Sequence, residues 1–155
     1  MKTAILVPWT KYPAELRTVL LGLKAKFVFM DSDSAYFELL AEQWQKREST
    51  LIIEHDILPD IQTVWEILGC NKPWCVAPYL GPGGILLKES LGCTKFSSSA
   101  MARTLSAFDN ILADQDSEPF SPTDWRRLDV RLAKQLKNVG LTPHLHDEVK
   151  HLHVY

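Results

Sequence analysis

Two acids one residue apart, Glu54 and Asp56, close an apolar run that begins at Leu51 in the segment LIIEHDILPD. Side chains alternate across a strand, so in extended backbone both carboxylates point one way and His55 the other. Burying neighbouring carboxylates uncompensated is costly or forces protonation, so acids at the mouth of a strand call for water, a cation or a basic partner. The pair therefore either opens a solvated loop or grips a divalent metal. A second concentration of chemistry closes the chain: four of its five histidines, His144, His146, His151 and His153, fall within the last twelve residues. Neutral imidazole is the commonest metal ligand, and a strand-borne histidine reaching the two acids would extend their coordination sphere. The same histidines equally suit surface positions or hydrogen-bonding roles.

Elements that must position these groups are legible in the first seventy residues. Ala4 to Val7 reads as a buried strand stopped by Pro8, and Pro13 opens a helix with Leu16, Val19, Leu20 and Leu23 on one face. Phe27 to Met30 reads as a second strand, followed by Asp31, Ser32, Asp33 and Ser34. Ser34 can cap a helix striped by Tyr36, Phe37, Leu40 and Trp44. The strand carrying Glu54 and Asp56 comes third, and Asp60 can cap a helix with Ile61, Val64, Trp65 and Leu68 inward. Strand and helix alternate, which predicts a mostly parallel sheet with ligands at the carboxyl ends of its strands. Pro8 to Thr10, Asp31 to Asp33 and Glu54 to Asp56 should then face one crevice.

The second half changes character. Trp74 to Tyr79 and Ile85 to Leu87 read as strands around a GPGG turn, which lacks the following Lys-Ser or Lys-Thr of a phosphate loop. A helix is expected from about Ser99 to Phe108, and an exposed loop from Asn110 to Pro122. Thr123 or Asp124 should cap a long helix lined by Trp125, Leu128, Leu132, Leu136 and Val139 and ended by Gly140.

Composition sets the outer bounds. At 155 residues, with 46% hydrophobic and 23% charged residues, the chain suits one globular domain. No stretch approaches the roughly 18 apolar residues needed to span a bilayer, and MKTAILVPW lacks a small-residue cleavage site, so a cytoplasmic protein without membrane insertion is expected. A net charge of −2 gives no global pull toward nucleic acid. Three cysteines without a CxxC pair argue against a disulfide framework and against a thiolate zinc site.

The order of these features resembles a compact nucleotide-sugar glycosyltransferase of the A-type fold, most similar to the small, often phage-encoded members of the inverting family. That resemblance implies a three-layer α/β sandwich around a mostly parallel, Rossmann-like sheet. It implies a first strand ending near a proline, as in LVPW, and a second ending in an acid that holds base or ribose, here Asp31 or Asp33. It implies an Asp-x-Asp-like motif for a divalent cation and the sugar diphosphate, here Glu54-His55-Asp56. DWRRLDVRLAKQLKNVGLTPHLHDEVKHLH resembles the family's acidic, Arg- and Leu-rich helix with its later histidine. The catalytic base would map to Asp124 or Asp129, and the metal-binding histidine to His151 or His153, with His144 and His146 less favoured. One strand and helix expected between the second strand and the metal motif are missing, which points to a partner or a second copy of the chain.

The chemistry so implied is transfer of a sugar from a nucleotide diphospho-sugar to an acceptor hydroxyl with inversion; the same residues also suit a metal-dependent hydrolase, in which carboxylates and histidines activate a water, or a non-catalytic module that binds a nucleotide sugar. Two carboxylates suit magnesium or manganese, and an added histidine favours manganese. Pro8, Trp9, Thr10 and Lys11 would lie along the donor, with Lys11, Arg126 and Arg127 as candidates for its diphosphate. The acceptor is open: a glycan, a protein or modified DNA. Trp74, Tyr79 and LGCTKF either line an acceptor pocket or belong to the core, and Arg127, Arg131 and Lys134 share a helical face that would suit a phosphate backbone.

Overall fold

The computed structural model describes residues 2–114 and 119–152. In chain order the elements are β1 (Ala4–Trp9), α1 (Ala14–Val19), β2 (Ala25–Phe29), α2 (Ala35–Lys46), β3 (Thr50–Ile53), β4 (Ile57–Leu58), α3 (Ile61–Gly69), β5 (Trp74–Val76), β6 (Tyr79–Leu80), β7 (Leu86–Leu87), β8 (Cys93–Phe96), α4 (Ser98–Arg103), α5 (Ala107–Ala113), α6 (Leu128–Asn138), β9 (His144–Leu145) and β10 (Lys150–His151). A central six-stranded sheet runs β2-β1-β3-β8-β5-β9. β8 lies antiparallel to both its neighbours, and the other pairings are parallel. The architecture is mixed α/β with a mostly parallel sheet, as the strand–helix alternation predicts.

Alternation along β3 divides the interior. Ile52 packs with the α2, α4, α5 and α6 side chains Phe37, Trp44, Met101, Phe108 and Leu132. Leu51 and Ile53 face Leu16 and Leu20 near α1 and Val64 and Ile67 of α3. Helices therefore cover both sheet faces, giving three layers. From β1 the chain crosses to β2 on one side and later to β3 on the other. Right-handed crossovers in opposite directions set α1 and α2 on opposite faces and part the loops beyond β1 and β3, which opens a crevice at their carboxyl ends.

Local chemistry explains most boundaries and corrects some. Pro8 does not end β1: it pairs with Val28 of β2, while pairing with β3 has already stopped at Leu6 and Ile52, so its missing N–H costs no rung. Asp60 caps α3 as expected, its Oδ1 accepting from Thr63 N–H at 2.8 Å. Ser34 precedes α2 without such a bond and donates to Glu38 instead. The helix expected over 99–108 is two, α4 and α5, and α5 extends into the stretch read as loop. LGCTKF contains β8, a fully buried strand inside the sheet, which makes this segment core rather than an acceptor lining. Trp74 is core as well. Asp124 caps a short 3-10 turn, Trp125–Arg127, before α6. Leu128, Leu132 and Leu136 are buried as predicted, Trp125 and Val139 are not, and Gly140 ends α6 at φ +79°. Among the described residues no helix is long and apolar enough to cross a membrane.

Candidate functional site

The crevice at the carboxyl ends of β1, β2 and β3 is a hollow of about 600 Å³ lined by Pro8, Trp9, Thr10, Lys11, Met30, Asp31, Ser32, Asp33, Tyr36, Glu54, His55, Asp56 and Trp125. All three loops expected to meet there do so. Its floor differs from the extended segment that alternation suggests. β3 ends at Ile53, and the Ile57 amide donates to the Glu54 carbonyl at 3.0 Å, so Glu54 to Ile57 is a tight turn. Strand alternation no longer applies, and His55 lines the hollow together with both acids.

Glu54 stands where protein crowds its carboxyl. Burial first, then the charges of Asp56 and Asp129, push it up to about 8. Its backbone N–H is tied to the Gly92 carbonyl at 2.8 Å, just ahead of β8. Gly92 permits a close approach there: a Cβ at this position would meet the Tyr79 ring at 2.3 Å and Ile57 at 2.9 Å. Tyr79 in turn lies against the His151 ring, centroids 4.9 Å apart.

His151 reaches Asp56 from the far end of the chain. β10 pairs antiparallel with β4, setting His151 opposite Ile57, and the Leu152 amide donates to the Asp56 carbonyl at 2.8 Å. The imidazole spans two oxygens, with Nδ1 2.9 Å from the Leu80 carbonyl and Nε2 3.0 Å from Asp56 Oδ2. A carbonyl only accepts, so Nδ1 carries a proton, and a neutral ring would turn its Nε2 lone pair toward the carboxylate. Two acceptors so opposed need a proton or a cation between them. A separation of 3.0 Å is that of a hydrogen bond from a protonated ring to the carboxylate, and it also leaves both atoms within reach of a single cation. The Leu80 carbonyl would then orient the ring from behind, as partners of metal-binding histidines do.

Tyr36 is a site residue that the sequence assigns to the core stripe. It is 7% exposed and lines the hollow, and its hydroxyl is buried without a hydrogen-bond partner. Burial, then Glu54, hold its ionisation well above the ordinary tyrosine value, so it remains a donor. Trp125, expected on the apolar face of α6, is 50% exposed at the edge of the hollow. The preceding turn aims it outward, a direction helical periodicity cannot signal.

The two acids proposed for proton transfer stand differently. Asp124 is buried and occupied: Oδ1 accepts from Arg126 N–H, and Oδ2 pairs with Arg126 Nη1, both at 2.9 Å. Arg126 also faces Asp33 at 3.7 Å, joining the end of β2 to the entry of α6. Asp129 accepts from Val130 N–H at 2.8 Å, and burial raises its carboxyl above the ordinary value. It opens onto a second hollow of about 500 Å³ beside Leu86, Lys88, Ser90 and Lys134, and its charge reaches Glu54.

Other expectations are redirected. Arg131 is buried, its guanidinium donating to the carbonyls of Phe120, Ser121 and Pro122, so it is no phosphate contact. His144 and His146 lie at the β9 edge with rings 5.1 Å apart, away from the Asp56 turn. His153 lies outside the described residues. Among the described residues, the one group of three histidine, cysteine or acidic ligands whose atoms gather within 4.8 Å is Cys70, Cys75 and His146. Sequence spacing argued against such a thiolate cluster, because its histidine arrives from the opposite half of the chain.

No family model matches the chain, and no curated protein does. Solved structures do. The crystal structure of A197 from STIV superposes with a TM-score of 0.58 at 11% identity, covering 97% of this chain and 84% of that one. A glycosyltransferase involved in the glycosylation of the major capsid of PBCV-1 superposes with a TM-score of 0.51 at 12% identity, over 94% of this chain and 81% of that one. The fold is glycosyltransferase-like. In that fold the 600 Å³ hollow occupies the carboxyl edge of the parallel strands, the usual ligand edge of open α/β sheets.

Proposed function

We propose that the chain transfers a sugar from a nucleotide diphospho-sugar to an acceptor hydroxyl with inversion, using manganese or magnesium held by Asp56 and His151 with Glu54 beside them. The observation that carries this reading is the opposed Asp56–His151 pair, 3.0 Å apart, at one side of a hollow formed by three strand ends. Likeness of fold to the PBCV-1 glycosyltransferase supports it. Trp9 and Trp125 offer aromatic faces to the donor's base, Asp31 and Asp33 offer acceptors to ribose hydroxyls, and Lys11 supplies a cation for the diphosphate. The Tyr36 hydroxyl, unpartnered in the free protein, donates to a donor oxygen.

When bound, the divalent ion offsets the charge gathering on the departing diphosphate. Asp129 is the base of choice over Asp124, because Asp124 is committed to Arg126 while Asp129 is half-buried with a raised carboxyl. It takes the proton of the acceptor hydroxyl as that oxygen bonds to the anomeric carbon, while the bond to the diphosphate breaks on the opposite face. The acceptor enters through the second hollow, and the Asp124–Arg126–Asp33 chain holds the entry of α6 against the end of β2.

Thermal shift with uridine, guanosine, adenosine and thymidine diphosphates and their sugars, each with and without manganese, tests the reading. One nucleotide should raise the melting point only with manganese, and Asp56→Ala should abolish that rise while the fold survives. A panel with no manganese-dependent shift, or a shift that Asp56→Ala retains, overturns it.

A further inference from the structure

We propose that Cys70, Cys75 and His146 form a zinc site that pins the C-terminal segment to the sheet, apart from the Asp56 hollow. Both sulfurs and an imidazole nitrogen already lie within 4.8 Å of one another. Around a tetrahedral ion with Zn–S bonds of about 2.3 Å, ligand atoms stand about 3.8 Å apart, so closure asks for a movement of about 1 Å. The three come from separate elements: Cys70 caps the C-terminus of α3, Cys75 sits in β5, and His146 follows β9.

An independent observation points to a ligand. His146 Nε2 is buried without a hydrogen-bond partner. Native structures rarely leave such an atom unmet, and a bound ion would satisfy it. Both flanks are held in place. The His146 backbone N–H donates to the Val76 carbonyl at 2.8 Å, and buried Lys95 donates to the carbonyls of Leu68 at 3.0 Å and Cys70 at 2.7 Å, fixing the loop that carries Cys70.

Ligand type selects the ion. Two sulfurs with one imidazole suit zinc rather than magnesium, calcium or manganese, which take oxygen ligands. Binding releases the thiol protons to solvent, leaving two thiolates to balance the doubly charged ion. A fourth position is left for water or for His144, whose ring meets that of His146 at 5.1 Å. From His146 the chain runs on through Val149, whose amide donates to the Pro78 carbonyl, to His151 on Asp56. An ion on His146 therefore anchors the segment that delivers His151.

Cobalt(II) titration of the metal-stripped, reduced full chain under anaerobic conditions tests the site. One equivalent should give a thiolate-to-cobalt charge-transfer band with tetrahedral visible bands, both bleached by zinc. Cys70→Ser and His146→Gln should each weaken cobalt binding by roughly a hundredfold or more. Cys70 is partly exposed, so its variant keeps the fold, as far-ultraviolet circular dichroism would verify. Cys93→Ala, at the cysteine outside the group, and Asp56→Ala should leave the band intact, which separates this site from the oxygen-rich one. Absence of a thiolate band in the folded protein, survival of the band in Cys70→Ser and His146→Gln, or a Cys70–Cys75 disulfide in protein isolated anaerobically overturns the proposal.

Discussion

Replacing Glu54 by glutamine keeps its shape and removes the charge that the hollow disfavours. Folding raises this carboxyl from its ordinary 4.5 to about 8, chiefly through burial. Between those values the folded chain keeps a proton that the unfolded chain has released, so stability is fully present below pH 4.5 and is lost as pH rises through 8. At 1.36 kcal/mol per unit the ceiling is about 5 kcal/mol, and water entering the hollow's mouth reduces it to on the order of 2 to 5 kcal/mol. For a chain of this size that is roughly 5 to 15 °C in melting temperature. Thermal melts in chelator should therefore nearly coincide for wild type and Glu54→Gln at about pH 5, with the variant well above wild type at about pH 9. Manganese at about pH 8 should raise wild type by more than Glu54→Gln, because the ion also stabilises the charged carboxylate that glutamine lacks, while Asp56 and His151 remain to hold it in the variant. Melts that stay parallel across the range would refute the reasoning, since Glu54 would then be as well solvated in the folded chain as in the unfolded one. A side chain that costs stability in the free protein suits a binding site better than a purely structural position.

Further expectations concern the remaining site residues. Asp129→Asn should lower kcat by about 10² to 10⁴ with little change in donor binding, whereas Asp124→Asn should chiefly lower the melting point by loosening the cap and the Arg126 pair; steady-state kinetics with thermal melts distinguish them. Gly92→Ala has no room beside Tyr79 and should displace that ring and His151 with it, seen as weaker manganese-dependent nucleotide binding together with a lower melting point. Trp125→Ala, at a half-exposed position, should leave stability nearly unchanged and weaken nucleotide binding by about 1 kcal/mol if the base stacks there, as titration calorimetry would measure.

Local pattern carried much of the fold. Apolar runs, helical stripes and caps such as Asp60 are decided within a few residues, so the alternation of β1 to α3 and the convergence of Pro8–Thr10, Asp31–Asp33 and Glu54–Asp56 at one edge are legible in the sequence. The stripe Tyr36, Phe37, Leu40 and Trp44 and the GPGG hairpin were legible for the same reason. Tertiary structure decided what depends on distant partners. β8 is buried on both faces, so it shows no alternation to read, and only its pairing with β3 and β5 makes LGCTKF core. The turn at Glu54 follows from where β3 loses its neighbour, which turns His55 into the hollow. Nor does spacing reveal that Arg131 serves carbonyls across a loop, that Asp124 is held by Arg126, or that His146 goes to two cysteines while His151 goes to Asp56. Periodicity fixes which face of an element a residue occupies; the packing of elements chooses what that face meets.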